Sequence, residues 1–300
     1  MSQITVTPES VEVGGRARTM TVVHRPRTAA GPVPVVLVFH GSMQTASAIR
    51  AFTANSLDEI GARVGAVVAY LDGHKKHWND ARIVNSPAAR SAGVDDVAFA
   101  KAAIDLVVSR YGGDRAQVYA VGFSNGGQMV IRLIHEIPSA LAGAAVLSAT
   151  QTPSDNFAPH DPRDEAVPVM FVHGTKDPIV PYAGGMAKML RISPRGIGMS
   201  APESAAFYAR RNGITASPVT RPLGADGARP TWTESTDYRQ PGRRPVTLYT
   251  VHGGGHTIPV RTKGRPHILT RAIMGATDRT LDTSQAISEF FDLTARDRQV

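Results

Sequence analysis

Cysteine is missing altogether from the 300 residues. That removes disulfides, thiolate metal centres and cysteine nucleophiles together, and says little about compartment. Long apolar runs are missing as well. No stretch approaches the roughly 18–20 residues that cross a bilayer, so no membrane partner is expected. The start, MSQITVTPESVEVGGRARTM, has no basic segment followed by an apolar one, so no signal peptide is visible. The expected location is therefore the cytoplasm, or the exterior if the chain is a mature form with a new Met1. Lys and Arg outnumber Asp and Glu, 33 to 25, giving a net charge of +8, yet the basic residues are scattered. Their densest run, VRTKGRPHILTR, has no interleaved aromatics, and with 6% aromatics overall no nucleic-acid partner is expected. No glycine loop of the phosphate-cradling type is present, since VGGRAR precedes a strand pattern.

What is present suits a packed interior. Apolar residues make up 42% of the chain and are evenly spread, and one domain spanning 1–300 is expected. ITVTPESVEVGGRARTMTVVHRP alternates around Gly14-Gly15, the pattern of an antiparallel hairpin. Beyond it the pattern changes. Val33–Phe39, AVVAYL, QVYAVGF, LAGAAVLSA, VPVMFVHG and VTLYTVH read as strands, most of them near-continuous apolar runs of the kind buried on both faces. Helical patterns alternate with them: ASAIRAFTANSLDEIGARVG, the stretch opened by Asp95-Asp96, NGGQMVIRLIHEI, a helix around Glu203–Arg211, and TSQAISEFFDLTA. The stretches Thr150–Ala166 and Thr215–Pro245 are expected to be loops. The fold class is α/β: a mostly parallel sheet with helices on both faces and an antiparallel hairpin at its start.

One short stretch carries the chemistry. In AVGFSNGGQM, Gly122-Phe123-Ser124-Asn125-Gly126 spells G-x-S-x-G, and it follows a strand and opens a helix. That context predicts a strand-to-helix turn so tight that side chains at 122 and 126 would collide, with the Ser124 hydroxyl projecting from it. A serine needs a base, and the base needs an orienting acid. Asp177, in VPVMFVHGTKDPIVP, and His256, in VTLYTVHGGGHTIP, both follow strands, in the order Ser, Asp, His expected of α/β-hydrolases. Asp155, Asp161, Asp164 and Glu165 precede the relevant strand, and His252 sits at a strand end where a packed or paired ring is expected. The backbone N–H groups of Asn125 and of Ser42, with Met43 as the adjacent alternative, are the expected donors to an oxyanion. His40 is expected to brace that loop without moving a proton. His74-x-x-His77 near Asp72 and Asp80 has no regular metal-ligand spacing, so no metal is expected. Trp78 and Tyr182 are candidates for the substrate pocket, with core packing as the competing role.

The set VFHGSMQ, HWND, DDVAFAKAAID, VYAVGFSNGGQM, FVHGTKDPIVPY and GGGHTIP resembles the esterases that group polyhydroxybutyrate depolymerases with feruloyl and acetylxylan esterases. The resemblance runs from about Pro34 to the final helix. It implies a secreted-type serine carboxylic-ester hydrolase needing no cofactor, with nucleophile Ser124, acid Asp177, base His256 and an oxyanion donor at Ser42. Many such relatives carry cysteine where Ser42 stands and use disulfides that this chain cannot form. Relatives attacking solid polyester often add a linker and a surface-binding module. Neither is visible, so the expected partners are small or oligomeric soluble esters. A peptidase or thioesterase using the same triad, and a catalytically silent binding domain, are the alternatives.

Overall fold

The computed structural model describes residues 4–26, 31–84, 87–159, 162–189, 193–223, 230–261 and 272–293. The chain opens as the hairpin β1 (Thr5–Val13) and β2 (Arg16–His24), turning at Gly14-Gly15. Strand β3 (Val33–Phe39), helices α1 (Ala46–Phe52) and α2 (Asp58–Val64), and strand β4 (Val67–Leu71) follow. A short α3 (Pro87–Ser91) and the long α4 (Asp96–Tyr111) lead to β5 (Gly113–Phe123), α5 (Asn125–Glu136), β6 (Gly143–Leu147) and β7 (Val169–Gly174). Then come the hairpin β8 (Gly185–Met189) and β9 (Ser193–Gly198), helix α6 (Ala201–Arg211), strands β10 (Val219–Leu223), β11 (Trp232–Tyr238) and β12 (Val246–His252), and helix α7 (Thr283–Phe290).

Ten strands form one sheet in the order β1-β2-β4-β3-β5-β6-β7-β12-β11-β10. The six from β4 to β12 run parallel, and antiparallel pairs flank them at both ends. Side chains alternate across a strand, so Val35, Leu37 and Phe39 of β3 join the core under α4 and α5, while Val36 and Val38 join the core under α1, α2 and α7. Because both faces are covered, the strand must be apolar throughout, and each buried side chain contributes roughly 1.5–3 kcal/mol. Asp95 caps α4 by accepting from the Ala98 N–H at 2.8 Å, and Gly112 ends it in the left-handed conformation.

Two expectations need correction. The stretch read as one helix from Ala46 breaks into α1 and α2, because Ala54 and Asn55 take φ of 50° and 61°. Thr215–Pro245 holds two strands, β10 and β11, rather than a loop. The buried side chains of β11 are Thr233 and Ser235, so its inward face carries no apolar rhythm, and β10 is an exposed edge strand that contains Pro222. The hairpin β8–β9 was likewise not visible as strands. Most of the basic run VRTKGRPHILTR, and Asp161, lie outside the described residues. No helix among the described residues is long and apolar enough to cross a membrane.

Two buried charge arrangements generate tests. Arg18 of β2 pairs with Asp96 at the start of α4 at 2.6 Å, both side chains being almost wholly buried, and the Asn79 N–H also donates to Asp96 at 2.7 Å. Burial pushes the Asp96 carboxyl up, and the Arg18 charge pulls against that. Arg18→Leu, which leaves this carboxylate buried without its paired cation, is expected to lower the unfolding free energy in urea by about 3–5 kcal/mol. Adding Asp96→Asn should recover part of the loss.

His40 and His135 are buried, and burial lowers them from 6.5 to about 4 and about 3 respectively, with the Arg211 charge adding to the effect at His135. Both folded values lie below the unfolded one. The unfolded chain therefore binds more protons between them, and stability is complete above pH 6.5 and declines as pH falls toward 4. For His40 the effect is on the order of 3 kcal/mol. The thermal midpoint should fall steadily between about pH 6 and pH 4. A midpoint that stays level over that interval would contradict the buried neutral state.

Candidate active site

Ser124 stands between β5 and α5 with φ 55° and ψ −115°, a conformation that costs a non-glycine residue about 1–3 kcal/mol. The surroundings hold it there. Its N–H donates to the Leu147 carbonyl at 2.8 Å, and its carbonyl accepts from the Gln128 N–H at 3.0 Å. A Cβ on Gly122 would enter the Gly126 carbonyl, and one on Gly126 would enter the carbonyls of Phe39 and His40. Only glycine lets α5 start this close to the end of β3. The Ser124 hydroxyl makes no hydrogen bond to another described residue and lines a narrow cleft.

Strands β7 and β12 are parallel neighbours, so the loops after them emerge side by side. Lys176 N–H donates to the Gly254 carbonyl at 2.9 Å, tying the two loops together. Asp177 Oδ2 lies 2.7 Å from His256 Nδ1, and Asp177 Oδ1 accepts N–H bonds from Ile179 and Val180, each at 2.8 Å. Burial alone would raise this carboxyl. The neighbouring His256, through charge and hydrogen bond, together with His173 and the Val180 N–H, outweighs burial and holds it below the usual carboxylate value. A carboxylate can only accept, so Nδ1 carries the proton and Nε2 presents its lone pair. The His256 ring packs against Phe123, the residue before Ser124, with centroids 5.0 Å apart. Beneath the acid, His173 donates from Nε2 to the Val180 carbonyl at 2.9 Å, and complete burial lowers its pKa.

The loop after β3 is braced from several sides. Gly73 N–H donates to His40 Nε2 at 2.9 Å, so His40 Nδ1 carries the proton and donates to the Gly41 carbonyl at 2.7 Å. Trp78 Nε1 donates to the His40 carbonyl at 2.8 Å. Met43 N–H donates to the Lys76 carbonyl at 2.9 Å and is already occupied. The N–H groups of Ser42 and Asn125 make no hydrogen bond to another described residue. Asn125 is fixed through its side chain: Oδ1 accepts from the Trp78 N–H at 2.9 Å, and Nδ2 donates to Asp80 at 2.5 Å. Asp80, fully buried, also pairs with Arg82 at 2.5 Å.

Both pocket candidates take up the competing packing role, Trp78 within the core and Tyr182 against it. Trp78 is fully buried in the core and braces the loop from behind. Tyr182 turns its hydroxyl to Thr250 Oγ1 at 2.9 Å and does not line the cleft at Ser124. His252 stacks on Trp232 with ring centroids 3.9 Å apart and lies 3.1 Å from Glu234. Among the described residues no group of three or more His, Asp or Glu could hold a metal ion. Sequence reasoning missed Asp80, Arg82 and Gln128. Only Gln128, one helical turn after Ser124, was open to discovery by spacing.

Known proteins resemble this arrangement. The sequence profile of the phospholipase/carboxylesterase family matches residues 70–192. NocK of Nocardia uniformis subsp. tsuyamanensis, named as an esterase by inference, is 31% identical over 304 aligned positions, covering 97% of this chain and 83% of its own. Feruloyl esterase B of Piromyces equi is 28% identical over 227 positions, 74% of this chain and 39% of its own. An acetyl xylan esterase from Aspergillus awamori shares the fold, with a TM-score of 0.59 at 13% identity, over 96% of this chain and 100% of its own. From the near full-length match to NocK, and from its ten-stranded sheet, the chain belongs to the esterases of the α/β-hydrolase fold.

Proposed function

We propose that this carboxylesterase-type hydrolase cleaves short, soluble carboxylic esters through an acyl-enzyme on Ser124. The 2.7 Å hydrogen bond from His256 to Asp177, with the imidazole packed against the elbow residue Phe123, carries the reading. Ser124 Oγ attacks the ester carbonyl carbon while His256 Nε2 takes its proton. The carbonyl π electrons move onto oxygen, and the N–H groups of Asn125 and Ser42 hold that oxyanion. His256 returns the proton to the departing alkoxide as the C–O bond breaks, releasing the alcohol. A water, deprotonated by the same nitrogen, then attacks the acyl-enzyme and releases the acid and Ser124. Asp177 orients the imidazole and stabilises its charged form. Ser124 and His256 make no hydrogen bond to each other here, and such contacts tighten in the transition-state complex. The names of two relatives, feruloyl esterase and acetyl xylan esterase, suggest ferulate and acetate as first acyl groups to assay.

Hydrolysis of p-nitrophenyl acetate tests this. Ser124→Ala and His256→Ala should each lower kcat by about 10⁴-fold or more, and Asp177→Asn by about 10³–10⁴-fold. Ser124→Ala should also abolish labelling by a fluorophosphonate. Full activity of Ser124→Ala would remove the nucleophile from the scheme, and turnover of thioesters or peptides alone would move the substrate class.

The Asp80–Asn125 contact makes a separate prediction. Asp80→Asn weakens the hold on Asn125, so kcat should fall about 10- to 100-fold with little change in KM, because the oxyanion exists only in the transition state. An unaltered kcat would mean that Asn125 needs no such support.

A further inference from the structure

The cleft that Ser124 lines is narrow, and its mostly apolar walls carry a few polar groups. One wall is Gln128 of α5, another is Thr150 and Thr152 after β6, and a third is the hairpin β8–β9. Its water-accessible volume is about 20 Å³, room for one or two waters. The hairpin wall is pinned: Met199 N–H donates to the Gln151 carbonyl at 2.8 Å, and Gly198 lies so near Thr150 that a Cβ there would sit 2.5 Å from its Oγ1.

Two polar atoms in these walls have no partner. Gln128 Nε2 donates to the Thr150 carbonyl at 2.7 Å, which fixes the amide's orientation and leaves Oε1 buried with no hydrogen bond. Thr152 Oγ1 is buried with none either. The two residues are 5% and 3% exposed. Buried acceptors and hydroxyls are nearly always satisfied, so this pair, on two residues that line the cleft at Ser124, marks a place for the polar atoms of a substrate. Arg82 reaches the same cleft with its charge already matched by Asp80, through Nε at 3.2 Å and Nη2 at 2.5 Å. The walls thus offer hydrogen bonds with no net charge, which suits a neutral hydroxyl better than a carboxylate.

We infer that this cleft is the acyl pocket and that Gln128 and Thr152 select short acyl groups bearing a hydroxyl near the carbonyl. The inference rests on the ester-hydrolase reading. The acyl half is assigned here because it stays bonded to Ser124 between the two steps, whereas the alcohol must leave and needs an open route. Gln128 Oε1 accepts from the substrate hydroxyl, and Thr152 Oγ1 donates to its oxygen. An apolar acyl group of equal size fills the same space and leaves both atoms unpaired. The volume admits two or three heavy atoms beyond the carbonyl.

The test uses two isosteric pairs of ethyl esters, followed by titration of released acid: glycolate against propionate, and lactate against isobutyrate. The wild type should favour the hydroxylated member of each pair at least tenfold in kcat/KM. Gln128→Met and Thr152→Val should narrow that ratio, mainly through loss on the hydroxylated ester. The wild-type ratio stands as a test even if neither variant folds. Equal rates, or a preference for the methyl member, with fluorophosphonate labelling of Ser124 intact, would overturn the pocket assignment and leave the esterase reading standing. No hydrolysis of any ester and no labelling would overturn both.

Discussion

The close approach of α5 to the end of β3 is the constraint from which the site follows. Gly126 sits against the carbonyls of Phe39 and His40, and Gly122 against the carbonyl of Gly126. At that approach Ser124 takes φ 55°, where a strand buried on both faces turns directly into a helix. The strain does structural work for the site: it lifts the hydroxyl out of the sheet and leaves the Asn125 N–H at a helix start without an acceptor. It also seats the start of α5 against the Phe39 and His40 carbonyls, where the β3 loop begins. Strand order then delivers the other two side chains, because β7 and β12 lie on one side of β5 with only β6 between.

The electrostatics of the site separate charge from polarity. Three buried histidines near it or behind it, His40, His135 and His173, are pushed toward the neutral form by burial. His173 lies 3.5 Å from the same Asp177 oxygen, yet its Nε2 proton goes to the Val180 carbonyl at 2.9 Å. The carboxylate's tighter partner is His256 on one oxygen, with two N–H groups on the other. Asp80 and Arg82 neutralise each other in the wall opposite.

Much of this was legible in the residue pattern, and the remainder was hidden for identifiable reasons. The parallel strands are apolar on both faces, so β3, β4, β5 and β7 announce themselves, and glycine spacing marks the elbow. Strand β11 hides because its inward residues are Thr233 and Ser235, which read as a polar loop. The break between α1 and α2 hides because Ala54 and Asn55 have no obvious breaker nearby, although asparagine tolerates a positive φ. Trp78 was drawn toward the pocket by its position in the chain, but its indole N–H was needed by the His40 carbonyl and its ring by the core. Asp80 and Arg82, two residues apart in an irregular stretch, had no periodicity to betray them. Their role appears only when Asn125, forty-five residues later, arrives beside them.

The loop after β3 is held in place without cysteine. The means are distributed. His40 links its own loop to Gly73, Trp78 takes the His40 carbonyl, Met43 donates to Lys76, and Gln44 accepts from the Gly41 N–H at 2.9 Å. Each bond is worth only about 0.5–1.5 kcal/mol, so no single one replaces a covalent clamp. Their geometry does more than their sum suggests. Met43 is spent on Lys76 and Gly41 on Gln44, which leaves Ser42 between them with an uncommitted N–H, as Asn125 has at the start of α5. Satisfying the flanking donors is what singles out the one that remains.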